Sequence, residues 1–428
     1  MVLLLRTTIL LFFSFGLVLV ASAELLKIDG IEISGNERTG TDVILRELGI
    51  NQGDSISEEA LNSRVQRLRN IRIFSQVESK LSRLADDRVK VKIWVHERWT
   101  TIPIFKIASG GGVSQTTVGV YDSNLGGRYL EAGAQASKLE DVYSGVVWFK
   151  NPRLFDKRLV WDLQLWNTSR VRTKYNQDLD EAVPITGFLH RRDRAYTALT
   201  WLMNDSWSLR AGTEFNRDSF SDKFLDPEIK QLLAAKPLPP DADVWLSTIG
   251  LQWGQIDYNG HLEDGLLVDL EYGYGAARSD GIKDFHQTNI AFEYKKSFLG
   301  RGTFAQRNLS GTTTTQVLQY WYYLGGLDRI RGFSNDRFAG RYYLLNNSEF
   351  RWVWWDRPKY IVQSVAFIDA LSAGEEFRTL GTLKGASAGV GLRVVLPRVY
   401  RFVLRFDYAS PLRKEDDMNV SFGVQQFF

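Results

Sequence analysis

The sequence contains no cysteine, which removes disulfides and thiolate metal sites from consideration. Its four histidines, His96, His190, His261 and His286, are scattered singly, so no histidine-rich metal centre is expected and no cofactor is called for. Charge of either sign is not in excess, with 53 Lys and Arg against 50 Asp and Glu. That balance argues against nucleic acid as a partner, because phosphate binders carry a clustered basic surplus. Beyond residue 23 there is no run of about 18 or more apolar residues, so no helix is expected to cross a bilayer.

What is present begins with a signal-like leader over residues 1–23. Arg6 supplies a positive start, Ile9 to Val20 is apolar, and Ala21-Ser22-Ala23 offers a small-x-small cleavage site. The apolar run is short for a membrane anchor, and one arginine without amphipathicity does not suit a mitochondrial transit peptide. Aromatic residues are abundant, with 13 Trp, 17 Tyr and 25 Phe. An exported chain rich in aromatics and poor in apolar runs fits a transmembrane β-barrel, though a secreted all-β enzyme shares that composition.

Residues 24–98 read as a separate α+β unit. Ile28 to Ser34 is a strand. Thr41 to Leu48 is helical, with Val43, Ile44 and Leu48 at core spacing and Gly49 as its stop. Ser57 caps a second helix whose apolar stripe is Leu61, Val65 and Leu68. Two strands follow, Val77 to Leu84 and Val89 to Glu97. This β-α-α-β-β order resembles a POTRA domain, including Gly35-Asn36 after the first strand and the Phe74 to Val77 entry into the next.

From residue 99 to 428 the alternation of apolar and polar residues is sustained. Leu266, Val268, Leu270, Tyr272 and Tyr274 oppose Asp269, Glu271 and two glycines; Phe402, Leu404, Phe406 and Tyr408 oppose Arg405 and Asp407. A soluble sandwich and a lipid-embedded barrel both produce this pattern, with opposite faces outward. Three features favour the barrel. Segments run about 9 to 11 residues, enough to cross lipid at a tilt. Short links (Ser123 to Gly126, Asn204 to Ser206, Asp356 to Lys359) alternate with long ones (Arg170 to Leu189, Ser219 to Asp243, Gly311 to Gly340). The last segment places Val420, Phe422, Val424 and Phe428 on one face. The segments number about 16, an even count as bacterial barrels require.

Several motifs in this region, taken in order, resemble the BamA/TamA superfamily of outer-membrane assembly and translocation barrels. Ile330-Arg331-Gly332-Phe333 looks like the signature of the sixth outer loop, between the eleventh and twelfth segments. Asn347-Ser348-Glu349-Phe350-Arg351 looks like the strand after it. Phe367-Ile368-Asp369 looks like the next, with Ala370 where glycine is usual. Ser387-Ala388-Gly389-Val390-Gly391 and Asp407-Tyr408-Ala409-Ser410-Pro411 resemble the fourteenth and fifteenth strands. The resemblance implies a loop latch in which Arg331, flanked by Gly332 and Phe333, folds into the lumen and pairs with Glu349 and Asp369. It also implies a carboxy-terminal recognition signal at Phe422, Val424 and Phe428.

The expected molecule is therefore an α+β POTRA module followed by an all-β 16-stranded transmembrane antiparallel barrel, in the bacterial outer membrane with its module in the periplasm. One module, without room for a plug helix, implies a single-POTRA member. The implied function is insertion, assembly or translocation of proteins by strand pairing at a lateral seam and at the module edge. Implied partners are outer-membrane lipid and lipopolysaccharide, unfolded outer-membrane or exported clients, and periplasmic chaperones or lipoproteins. Rival readings are a transporter for one exported protein, a passive pore, and an outer-membrane phospholipase or protease, for which no Ser-His-acid pattern stands out. A short helix, Glu228 to Ala235, is expected within the long 219–243 connection.

Overall fold

The computed structural model describes residues 24–84, 87–110, 113–176, 183–326, 329–412, 419–424 and 428; the signal-like leader lies outside them. In the amino-terminal unit, β1 (Leu26–Ser34), α1 (Thr41–Leu48), α2 (Glu58–Asn70), β3 (Phe74–Arg83) and β4 (Arg88–Glu97) follow the expected order, with a two-residue strand β2 (Ser55–Ile56) added between the helices. Two residues are too few to leave an alternation in the sequence. The sheet order is β2-β1-β4-β3, with β1 and β4 parallel. Gly49 stops α1 in the left-handed region at φ 61°, its N–H donating to the Leu45 carbonyl. Ser57 Oγ accepts from the Ala60 N–H at 3.1 Å and so caps α2. Ile44, Leu48, Leu61, Val65 and Leu68 from the helices bury against Val91, Ile93 and Val95 of β4.

From Thr101 a 16-stranded antiparallel sheet runs in sequence order, each strand paired with the next. It curves round on itself: Lys174 on the fifth strand (Leu159–Tyr175) donates to Glu375, just past the thirteenth (Ile361–Gly374), at 2.6 Å. Period-two geometry sorts each strand between two environments. On the eighth strand (Ala242–Asn259), Trp245, Ile249, Leu251 and Trp253 face outward and are exposed. Trp245 packs beside Phe215, with ring centroids 5.2 Å apart, and Trp253 beside Trp207 at 6.3 Å. These pairs are aromatic girdles bounding an apolar band. Inside, Glu349, Asp369, Arg393 and Asp407 are buried. Among the described residues no helix is long and apolar enough to cross a membrane; here the strands do so.

Strand lengths depart from the sequence reading. The sixth strand spans 19 residues (Pro184–Leu202) and the seventh 15 (Trp207–Ser221). Arg170 to Leu189 is therefore mostly strand, running to Tyr175 and resuming at Pro184. Above Ala195 the outward side chains turn polar, with Asp193 beside Arg217 and Arg217 paired to Asp243 at 3.0 Å. The ladder continues past the band where strand residues are hydrophilic on both faces, so alternation of hydropathy no longer marks it. The helix in the 219–243 connection forms over Pro227–Leu232 and is shorter than expected.

The module packs against the turn end of the sheet. Glu47 on α1 is fully buried and pairs with Arg153 of a rim turn at 2.5 Å. Arg46 reaches Asp156 in the same turn at 2.9 Å. On α2, Asn70 donates to Asp257 at 2.8 Å. Arg38 pairs with Asp122, and the Gly40 N–H donates to the Gly127 carbonyl at 3.0 Å. Gly127 has φ 72°, and a Cβ there would meet the Arg38 carbonyl oxygen at 2.0 Å. Only glycine permits that approach.

Candidate functional site

The connection between the eleventh strand (Gly302–Thr313) and the twelfth (Tyr342–Asp356) folds into the bore. Its two limbs pair over Tyr322–Leu324 and Phe338–Gly340. The Gly326 N–H donates to the Phe333 carbonyl at 3.0 Å, closing the tip. Apolar residues anchor it: Ile330, Phe333 and Phe338 bury with Tyr343, Leu345 and Leu371 of the wall.

At the tip sits Arg331, 1% exposed. Nε and Nη2 donate to the two oxygens of Asp369 at 2.8 and 2.7 Å, a bidentate fork. Nη1 donates to Glu349 at 2.5 Å, and the backbone N–H adds a bond to Asp369 at 3.1 Å. The carboxylates arrive there because Glu349 and Asp369 alternate with outward Phe350 and Ile368. Asn347 Nδ2 bridges the Arg329 carbonyl and Asp369, each at 2.9 Å. Gly332 holds φ 87°, and a Cβ there would lie 3.3 Å from Ser387 and 3.4 Å from Ala409 on the facing strands.

Sequence reasoning singled out Arg331, Gly332, Phe333, Glu349 and Asp369, and these five converge. It missed the ring beneath the arginine: Phe367 lies 3.5 Å from the guanidinium carbon. Gly389 makes room for that ring, since a Cβ there would meet it at 2.3 Å. Counting back two from Asp369 was the signal that places Phe367 inside. The charge network also extends further than expected. Arg351 donates to Glu349 at 2.8 Å and to Glu263 at 2.8 Å, and Lys295 joins Glu263 at 3.0 Å. Arg393 pairs with Asp407 at 2.7 Å. Together these bonds tie the loop tip to the inner wall.

The carboxy-terminal residues do not share one face. Phe422 and Val424 point outward and are exposed. Phe428 instead lies over the lumen guanidiniums of Arg307 and Arg351, at 4.9 and 5.3 Å, and its carbonyl accepts from Arg351 at 2.9 Å. Phe428 lies beyond the described part of the sixteenth strand, Asn419–Val424.

A 16-stranded barrel with an inward-folded loop and a docked α+β module defines a class of outer-membrane protein. The Omp85 superfamily domain matches residues 124–428, and the POTRA pattern (surface antigen variable number repeat) matches residues 26–98. The chain belongs to the Omp85 superfamily. Its barrel sits in the outer membrane with the POTRA domain on the periplasmic side. It is 24% identical to the outer membrane protein assembly factor BamA of Nitratidesulfovibrio vulgaris, over 94% of this chain and 51% of that one. The chain thus spans about half the length of that curated relative. Its fold is similar to CdiB from Escherichia coli, with a TM-score of 0.64 and 13% identity over 93% of this chain and 76% of that one. It is also similar to BamA from Haemophilus ducreyi lacking POTRA domains 1–3, with a TM-score of 0.53 and 15% identity over 93% and 84%.

Proposed function

We propose that this protein inserts or translocates other proteins at the outer membrane by backbone strand pairing. The observation that carries this reading is the seam. Among the described residues no ladder joins the first strand (Thr101–Gly110) to the sixteenth (Asn419–Val424), and each is an edge of the sheet. An edge strand presents unpaired N–H and C=O groups that a second chain can match. The latch keeps the rest of the wall rigid while that edge is available.

The module supplies a second edge. β3 is the outermost strand of its sheet, and an 830 Å³ cleft separates its Phe74–Glu78 end from rim residues Tyr258, His261, Arg357 and Arg398. An extended client in the periplasm meets this edge before it meets the seam. Clients are unfolded outer-membrane or exported proteins; chaperones or lipoproteins deliver them, and lipid and lipopolysaccharide surround the wall. A passive pore is a weaker reading, because Arg331, Ile330 and Phe333 occupy the bore as a packed cluster.

Deleting the protein and comparing outer-membrane and secreted proteomes tests the proposal. A set of depleted barrel or exported proteins is the expected result, together with insertion of an unfolded barrel client into vesicles holding the purified protein. Unchanged proteomes with ion conductance in a planar bilayer would establish the pore instead.

A further inference from the structure

The lipid-facing wall carries a polar inset where an apolar band should be unbroken. On the eleventh and twelfth strands Leu309, Asn347 and Glu349 face the interior, so Asn308, Asn346 and Ser348 face outward by alternation. They are hydrogen-bonded to one another: Asn346 Nδ2 donates to Asn308 Oδ1 at 2.7 Å, and Ser348 Oγ donates to Asn346 Oδ1 at 3.2 Å. Gln306 lies opposite Ser348 on the same face. Exposed apolar residues frame the group on every side: Ile290 and Tyr294 on the tenth strand, Ile368 on the thirteenth, Phe350 toward the turns and Leu344 toward the loops. The inset therefore lies within the span that acyl chains cover.

Acyl chains offer no hydrogen bonds, so amide and hydroxyl groups in that span are costly unless another protein matches them. The internal bonds use both sides of the Asn346 amide. They leave the Asn308 N–H groups and the Gln306 amide with no bond to any described residue. We infer that this face is an interface between two copies of the chain within the membrane. The chemistry selects a second copy: an amide is both donor and acceptor, so the same patch rotated by a twofold axis satisfies itself. Shape agrees. Beside the inset a 590 Å³ groove is floored by Ala366 and Ala388 and walled by Phe350, Ile368 and Val390. A protruding Phe350 from one copy has a groove on the other to enter. The inset lies on the eleventh and twelfth strands, and the groove beside it reaches Tyr408 on the fifteenth, one strand short of the seam.

The absence of native cysteine makes the test direct. Single variants Asn308→Cys and Ser348→Cys in the full chain, oxidised in native outer membranes, are expected to give a disulfide-linked homodimer. Ile249→Cys, on the band of the eighth strand, is expected to give none. Wild-type protein in lipid nanodiscs is expected to have the mass of a dimer, and the Asn308→Leu/Asn346→Leu variant that of a monomer with unchanged heat-modifiable mobility. Equal crosslinking at all three positions, a monomeric mass for the wild type, or adducts at Ser348→Cys only with a different protein would each overturn the inference.

Discussion

Arg331 stands over Phe367 with its guanidinium carbon 3.5 Å from the ring centroid, so the arginine is held by a ring on its face and two carboxylates on its edges. Each contact type limits a different motion. The carboxylates fix the fork in its plane, and the ring fixes the height of that plane within the bore.

Replacing Arg331 with Ala should destabilise the assembled barrel by about 3–5 kcal/mol, because buried Asp369 loses its bidentate partner and buried Glu349 is left with Arg351 and the more distant Arg393. Arg331→Lys should recover little, since a single ammonium cannot make the bidentate fork. Heat-modifiable gel mobility and the urea midpoint in detergent report the loss. Wild-type values for Arg331→Ala would refute the latch.

Phe367→Leu should leave the ion pairs intact and remove the cation–π contact, costing about 0.5–2 kcal/mol. Hydrogen exchange of the amides near Gly332 should quicken while the wall strands stay protected. The urea midpoint should fall by less than for Arg331→Ala.

Gly332→Val should be worse than size alone implies. A β-branched residue at φ 87° is strained, and its Cβ would press on Ser387 and Ala409. The expected outcome is a lower yield of folded barrel, read by heat-modifiable mobility. Gly281 shares a positive φ but has open space around its Cβ position, so Gly281→Ala is the milder control.

Glu47→Ala should release the module from the barrel rim. The carboxylate is buried between Arg46 and Arg153, and its loss strands Arg153. Spin labels on the module and on the barrel should report a broader distance distribution, with the urea midpoint of the barrel itself unchanged. An unaltered distribution would mean that the other rim contacts suffice.

A disulfide linking the first strand to the sixteenth should abolish client insertion in vesicles and leave folding intact, with activity returning on reduction. Full activity of the oxidised form would exclude the seam as the route.

Much of this architecture was readable because period-two patterning leaves a physical trace wherever one face meets lipid and the other a polar interior. Val89, Val91, Ile93 and Val95 marked β4, and outward Phe350 and Ile368 fixed Glu349 and Asp369 as inward. The trace fades where both faces are wet, which hid the upper part of the sixth strand. Alternation also put Phe428 beside Phe422 and Val424, whereas its ring meets the lumen guanidiniums of Arg307 and Arg351, contacts that no local pattern encodes. Docking of the module was not legible at all. Glu47 sits on α1 like any solvated helix residue, and nothing local says that Arg153, 106 positions later, will cover it.

The Trp245 and Trp253 pairs work as draught marks on a hull. Eight residue steps at about 3.4 Å each, inclined about 40°, separate them by only about 20 Å along the bilayer normal. A thicker bilayer must pinch around this protein or pull on its strands. The composition of the surrounding lipid is therefore a mechanical load on the wall, independent of any ligand.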